Sequence, residues 1–196
     1  LGEIVRTHVA FRLCLGHSLT RGSARLNVIA DVSDSALQRA ATQLGDALMA
    51  EHLTLCTAES CTGGWIAKIL TDIPGSSAWF EAGYVTYSNR QKTVQLGVPA
   101  ELFERVGAVS QEVVEAMVRG AQQRSGARFA VAVSGVAGPD GGSAEKPVGT
   151  VWLAWGDGQQ VSSRRCQFAG DRQAVRRQTV ERALQGVLRL TAGEKP

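Results

Sequence analysis

The order of strand-like and helix-like segments predicts an α/β fold, a three-layer αβα sandwich around a mixed, largely parallel central sheet. Three observations carry this expectation. Two short apolar runs, "LTLCTA" (53–58) and "RFAVAVSG" (128–135), read as buried strands, and each opens into a glycine-rich turn. Segments with helical apolar spacing separate and flank them. Later in the chain, Asp157-Gly158 divides "TVWLAWG" from "QQVSSRRCQFA", a strong hairpin signal.

The elements follow in order. "SDSALQRAATQLGDALMAEH" places Leu37, Ala40, Ala41, Leu44 and Leu48 on one helical face, with Ser33 or Ser35 as N-cap. After the first strand, "ESCTGGWIAKILTDI" turns into a helix that Pro74-Gly75 stops. "WFEAGYVTYS" (79–88) is aromatic and β-branched, hence a strand. "NRQKTVQLG" is a short helix closed by Gly97, and Pro99 suits the first turn of another. Ser110 starts a helix ending at Gly126. Past the second strand and the loop "VAGPDGGSAEKPVG" come the hairpin and a final helix capped by Gly170-Asp171. Residues 33–196 are expected to form one domain, and residues 1–32 a leader, either disordered or an overextended start.

Composition narrows the function classes. The 44% hydrophobic and 20% charged fractions suit a globular chain. No apolar run is long enough to span a bilayer. Cys14, Cys56, Cys61 and Cys166 form no C-x-x-C pair, so neither a disulfide framework nor a zinc site is expected, and a reducing cytoplasm is the default. The net charge of +3 sits on the leader: residues 1–30 hold four arginines and Glu3, leaving the remainder balanced. A neutral domain argues against a direct nucleic-acid surface. A homo-oligomer is expected.

Candidate chemistry emerges by elimination. Outside the leader the only histidine is His52, at the amino end of a strand, whereas ligands of open α/β sheets bind beyond the carboxyl ends. A Ser-His-Asp triad and a transition-metal site are both disfavoured. The two glycine-rich turns, "TAESCTGG" and "SGVAGPDGG", are candidates for a shared phosphate or nucleotide cleft. Without histidine, a lysine of depressed pKa can activate a serine. Lys92 lies five residues beyond Tyr87, near Ser76 and Ser77, and these side chains can form a proton relay. Local sequence does not choose between the two serines. Cys61 is an alternative nucleophile, and Glu59 reads either as a ligand of a ribose hydroxyl, as an orienter of a lysine or as an ordinary turn acid.

The stretches "TAESCTGGWIAKILTDIPGSSAWFEAGYVTYSNRQK", "GAVS", "SGVAGPDGGSAEKPVGTVW" and "GDRQAVRRQTVERAL" closely resemble the CinA carboxy-terminal domain family, the nicotinamide mononucleotide deamidases. The resemblance spans about residues 35–190. It implies hydrolysis of the nicotinamide carboxamide to nicotinate mononucleotide and ammonia, in pyridine nucleotide recycling, with no metal and no cofactor. It implies a Ser/Lys acyl-enzyme mechanism assisted by tyrosine, with Ser77 as nucleophile and Lys92 and Tyr87 as its partners. The expected substrate contacts are Thr57, Ala58, Glu59, Ser60, Gly63 and Gly64 in the first turn, Ser134, Gly135 and Gly138 in the second, and Arg172. The competing expectation is a non-catalytic nucleotide-binding module.

Overall fold

The computed structural model describes residues 33–196; the leader expected over 1–32 lies outside them. The elements are α1 (Asp34–Ala50), β1 (Leu55–Glu59), α2 (Trp65–Thr71), a 3₁₀ turn (Ser76–Ala78), β2 (Phe80–Val85), α3 (Asn89–Leu96), α4 (Ala100–Arg105), α5 (Gln111–Ser125), β3 (Phe129–Gly135), β4 (Thr150–Gly156), β5 (Val161–Gln167) and α6 (Arg172–Thr191). The sheet order is β2-β1-β3-β4-β5. β1 pairs in parallel with both β2 and β3, and β4 and β5 continue the sheet antiparallel. This is the mixed sheet of the expected αβα sandwich.

The local signals act as their chemistry dictates. Ser33 accepts a hydrogen bond from Ala36 N and Asp171 from Ala174 N, capping α1 and α6. Gly97 and Gly126 close α3 and α5 in the left-handed conformation. Asp157 Oδ1 accepts from the N–H groups of Gln159 and Gln160 and folds the hairpin.

Two apolar layers sandwich the sheet. On one face Leu55, Val131, Val133, Leu153 and Trp155 pack against α1, α2 and α6 through Leu37, Leu44, Ile66, Val180 and Leu184. On the other, the strands present small residues, Cys56, Ala58, Ala130, Ala132 and Ala154, to Val114, Met117 and Val118 of α5. Large side chains on one face and small ones on the other let α5 lie close to the sheet. α5 also lies close to α3: a Cβ on Gly120 would fall 1.8 Å from the Leu96 carbonyl oxygen. No helix among the described residues is long and apolar enough to cross a membrane.

Parallel register decides where the site forms. Glu59 lies opposite Val85 of β2 and Val133 of β3. The three carboxyl ends therefore finish side by side, with β1 in the middle.

Candidate active site

Ser60 is the first residue beyond β1, and Lys92 sits one turn into α3, just beyond β2. Parallel pairing brings them together across 32 residues: Lys92 Nζ lies 3.0 Å from Ser60 Oγ. The same nitrogen donates to the carbonyl oxygens of Thr86 at 2.8 Å and Tyr87 at 3.1 Å. Lys92 is 1% exposed. Ser88 caps α3 by accepting from Gln91 N, which fixes the turn that aims Lys92 inward.

Burial lowers the Lys92 pKa from 10.5 to about 8, against a smaller opposing effect of Cys61. Among the described residues no carboxylate forms an ion pair with it. The ammonium finds three acceptors for its three N–H bonds, Thr86 O, Tyr87 O and Ser60 Oγ, and loss of one proton leaves a neutral amine. Such a group has two N–H bonds and one lone pair. The two carbonyls can only accept, so they take the two N–H groups, and the lone pair is left facing the Ser60 hydroxyl. That arrangement suits a base removing the hydroxyl proton.

The surrounding cleft holds about 210 Å³ and is lined by Ser60, Cys61, Tyr87, Asn89, Lys92, Ala108, Val109, Ser134, Gly135, Ala137 and Arg172. A second hollow of about 460 Å³ shares Ala137 and Arg172 with it and continues past Pro139, Gly170, Gln173 and Arg176. Arg172 donates to Gly138 O at 2.9 Å and forms no ion pair among the described residues. Ser134 Oγ donates to Ala108 O and ties the 107–110 turn to the end of β3.

The structure does not bring Ser77 to Lys92. Ser77 lies in the 3₁₀ turn before β2, while Tyr87 and Lys92 come after it. Six residues of strand at about 3.3 Å each put roughly 20 Å between those ends. Ser60, expected as a substrate contact, occupies the place expected for Ser77. Tyr87 lines the cleft, yet it reaches Lys92 through its carbonyl; its side chain is exposed, and its hydroxyl makes no hydrogen bond among the described residues. The Cys61 thiol is buried and its pKa is pushed up to about 12, a poor nucleophile.

The expected substrate contacts divide as well. Ser60, Ser134, Gly135 and Arg172 line the cleft, and Gly138 is held at its border by Arg172. Thr57 and Ala58 are sealed within the sheet. Glu59 is fully buried, with both oxygens engaged by the chain itself. It also occupies the amino end of α2, so that helix offers no free anion site. Gly63 and Gly64 shape the turn with φ of 63° and 91° and do not line the cleft.

Arg176 was not distinguished by sequence from the other arginines of its helix. Its Nε donates to Cys61 O at 3.1 Å and its Nη2 to Thr62 O at 2.7 Å, and its guanidinium lies 5.3 Å from the Trp65 ring centroid. It pins the serine-bearing turn to α6. The N–H groups of Cys61 and Thr62 find no acceptor among the described residues. Spacing of Arg172 and Arg176 on one helical face was the available signal.

Fold and site together define an α/β protein with a serine hydroxyl set against a buried lysine at the ends of parallel strands. The model of the CinA C-terminal domain matches residues 37–191, and the chain belongs to that family. It is 74% identical over 150 residues to the nicotinamide-nucleotide amidohydrolase PncC of Pseudomonas putida, covering 76% of this chain and 94% of that protein. To the enzyme of the same name from Escherichia coli K12 it is 54% identical over 156 residues, 79% and 94% of the two chains. Among solved structures, a competence-damaged protein (CinA) superfamily protein from Klebsiella pneumoniae superposes with a TM-score of 0.78 at 38% identity, covering 80% of this chain and 98% of that one. The competence/damage inducible protein CihA from Agrobacterium tumefaciens gives 0.74 at 44%, covering 76% and 92%.

Proposed function

We propose that this protein is a nicotinamide-nucleotide amidohydrolase that converts nicotinamide mononucleotide to nicotinate mononucleotide and ammonia, with Ser60 as nucleophile and Lys92 as base. The observation that carries the mechanism is the 3.0 Å approach of Lys92 Nζ to Ser60 Oγ, with the carbonyl oxygens of Thr86 and Tyr87 accepting from the same nitrogen. The names of the relatives supply the substrate.

Neutral Lys92 takes the Ser60 proton as Oγ attacks the carboxamide carbon. The N–H of Cys61, a residue of the cleft wall, is the donor we assign to the developing oxyanion, such a donor being worth about 3 kcal/mol. The Lys92 ammonium then protonates the departing nitrogen, which leaves as ammonia. Water attacks the acyl-enzyme and gives its proton to Lys92, which returns it to Ser60 as nicotinate mononucleotide departs. The pyridine ring occupies the smaller cleft, and Arg172 holds the phosphate in the adjoining hollow.

Ammonia release from nicotinamide mononucleotide by the purified protein tests this reading. Ser60→Ala is expected to abolish turnover and Ser77→Ala to retain it. The reverse pattern sinks the assignment of Ser60. Binding without turnover by the native chain supports a non-catalytic nucleotide-binding module instead.

A further inference from the structure

Glu59 is the last residue of β1, adjacent to Ser60, and is fully buried. Five donors converge on it. Oε2 accepts from Thr62 Oγ1 at 2.6 Å and from the N–H groups of Gly64 and Ile66, both at 3.0 Å. Oε1 accepts from Ala67 N at 2.8 Å and from Thr57 Oγ1 at 3.4 Å. No cation pairs with it among the described residues.

The need for this carboxylate is local. α2 begins after Gly64, which has φ 91° and no side chain with which to cap the helix. Its first N–H groups would otherwise be buried without acceptors. Glu59 reaches forward from the strand and does the capping instead. In doing so it folds residues 59–67 around itself. Ser60 sits inside that ring of bonds, with its N–H donating to Val133 O and its carbonyl accepting from Gly63 N.

We propose that Glu59 is a positioning residue: its carboxylate gathers the 59–67 turn and so holds Ser60 Oγ against Lys92 Nζ. The proposal rests on the Ser60–Lys92 reading above. Glu59 itself has no lone pair left for substrate and lies outside the cleft lining. A glutamine is no substitute. Its amide turns an N–H₂ group toward one of the two sets of donors, leaving at least one backbone N–H facing another donor.

The test uses two readouts on the whole protein. The first is the rate at which phenylmethanesulfonyl fluoride modifies Ser60, followed by intact mass. Ser60 Oγ bonds to sulfur, fluoride leaves, and the hydroxyl proton passes to Lys92. The second is kcat and KM for nicotinamide mononucleotide. Displacing a reacting atom by about 1 Å costs about a hundredfold, so Glu59→Gln is expected to lower both the modification rate and kcat by that order while KM stays within about threefold. Thr62→Val removes one of the five bonds and is expected to cost about tenfold; Thr62→Ser, which restores the hydroxyl, recovers most of that loss. If Glu59→Gln fails to fold, the Thr62 pair decides. Native modification and turnover rates in Thr62→Val and in folded Glu59→Gln overturn the proposal. So does a raised KM at unchanged kcat, which marks a substrate ligand, or a native Ser60 that resists the reagent. If native Ser60 is modified but nicotinamide mononucleotide is not hydrolysed, the substrate reading fails. The modification rates of the variants still judge Glu59.

Discussion

A buried lysine acting as base ties the rate to pH in a way the structure quantifies. With its pKa lowered from 10.5 to about 8, Lys92 is neutral in about one molecule in ten at pH 7. At 10.5 the neutral fraction would be about one in three thousand, so burial enriches the free base about three-hundredfold. The turnover number divided by KM is expected to rise about tenfold per pH unit below 8 and to level off above it. The shift comes from desolvation, with no ion pair to screen, so the midpoint should move little between low and high salt. Ammonia release in buffers from pH 6 to 10, with the substrate's own stability checked at each pH, measures this. A flat profile, or one still climbing toward 10.5, would refute the assignment of Lys92 as a desolvated base.

The same burial bears on stability. The folded pKa lies below that of the unfolded chain, so between about pH 8 and 10.5 the unfolded chain binds the extra proton at Lys92 and this residue's contribution to stability rises with pH, by about 3 kcal/mol across the window. The buried Cys56 and Cys61 thiols, pushed up to about 11 and about 12, act in the opposite sense above about pH 9, so denaturant titrations should show the Lys92 slope as the difference between the native protein and Lys92→Met. Gly120→Ala drives a Cβ into the Leu96 carbonyl, a backbone group that cannot turn aside, and is expected to cost 3 kcal/mol or more; a loss under about 1 kcal/mol in the same titration contradicts the close packing of α3 on α5. Arg172→Ala is expected to raise KM for the nucleotide at least about tenfold with a smaller change in kcat; an unchanged KM removes the phosphate from that hollow.

Much of the fold was legible because its signals are local. Ser33, Gly97, Gly126, Asp157 and Asp171 each act within five residues of their own position. The candidate site was legible in type and misplaced in part. Lys92 stands out because histidine is lacking; Ser76 and Ser77 lie near it in the sequence, and Ser77 is singled out by the family resemblance. An extended strand lies between them and carries them to opposite ends of the sheet. The rule that set His52 aside, that sites form at carboxyl ends of parallel strands, also disqualifies Ser77 and admits Ser60. Glu59 could not be read as a capping residue, because the helix it caps starts six residues later, beyond a glycine with no side chain. Arg176 shares a helical face with Arg172, but its role was hidden because its acceptors are backbone carbonyls 114 and 115 residues away.

The cleft is assembled from five stretches of chain: residues 60–61, 87–92, 108–109, 134–137 and 172. None contains a working pair by itself, and the arginine joins only when the final helix docks across the first turn. Contacts of such long sequence separation form late, after loop-closure entropy has been overcome. Recovered catalysis is therefore a stringent clock for refolding. It should lag the return of helical circular dichroism, and a chain truncated before residue 172 should never acquire it.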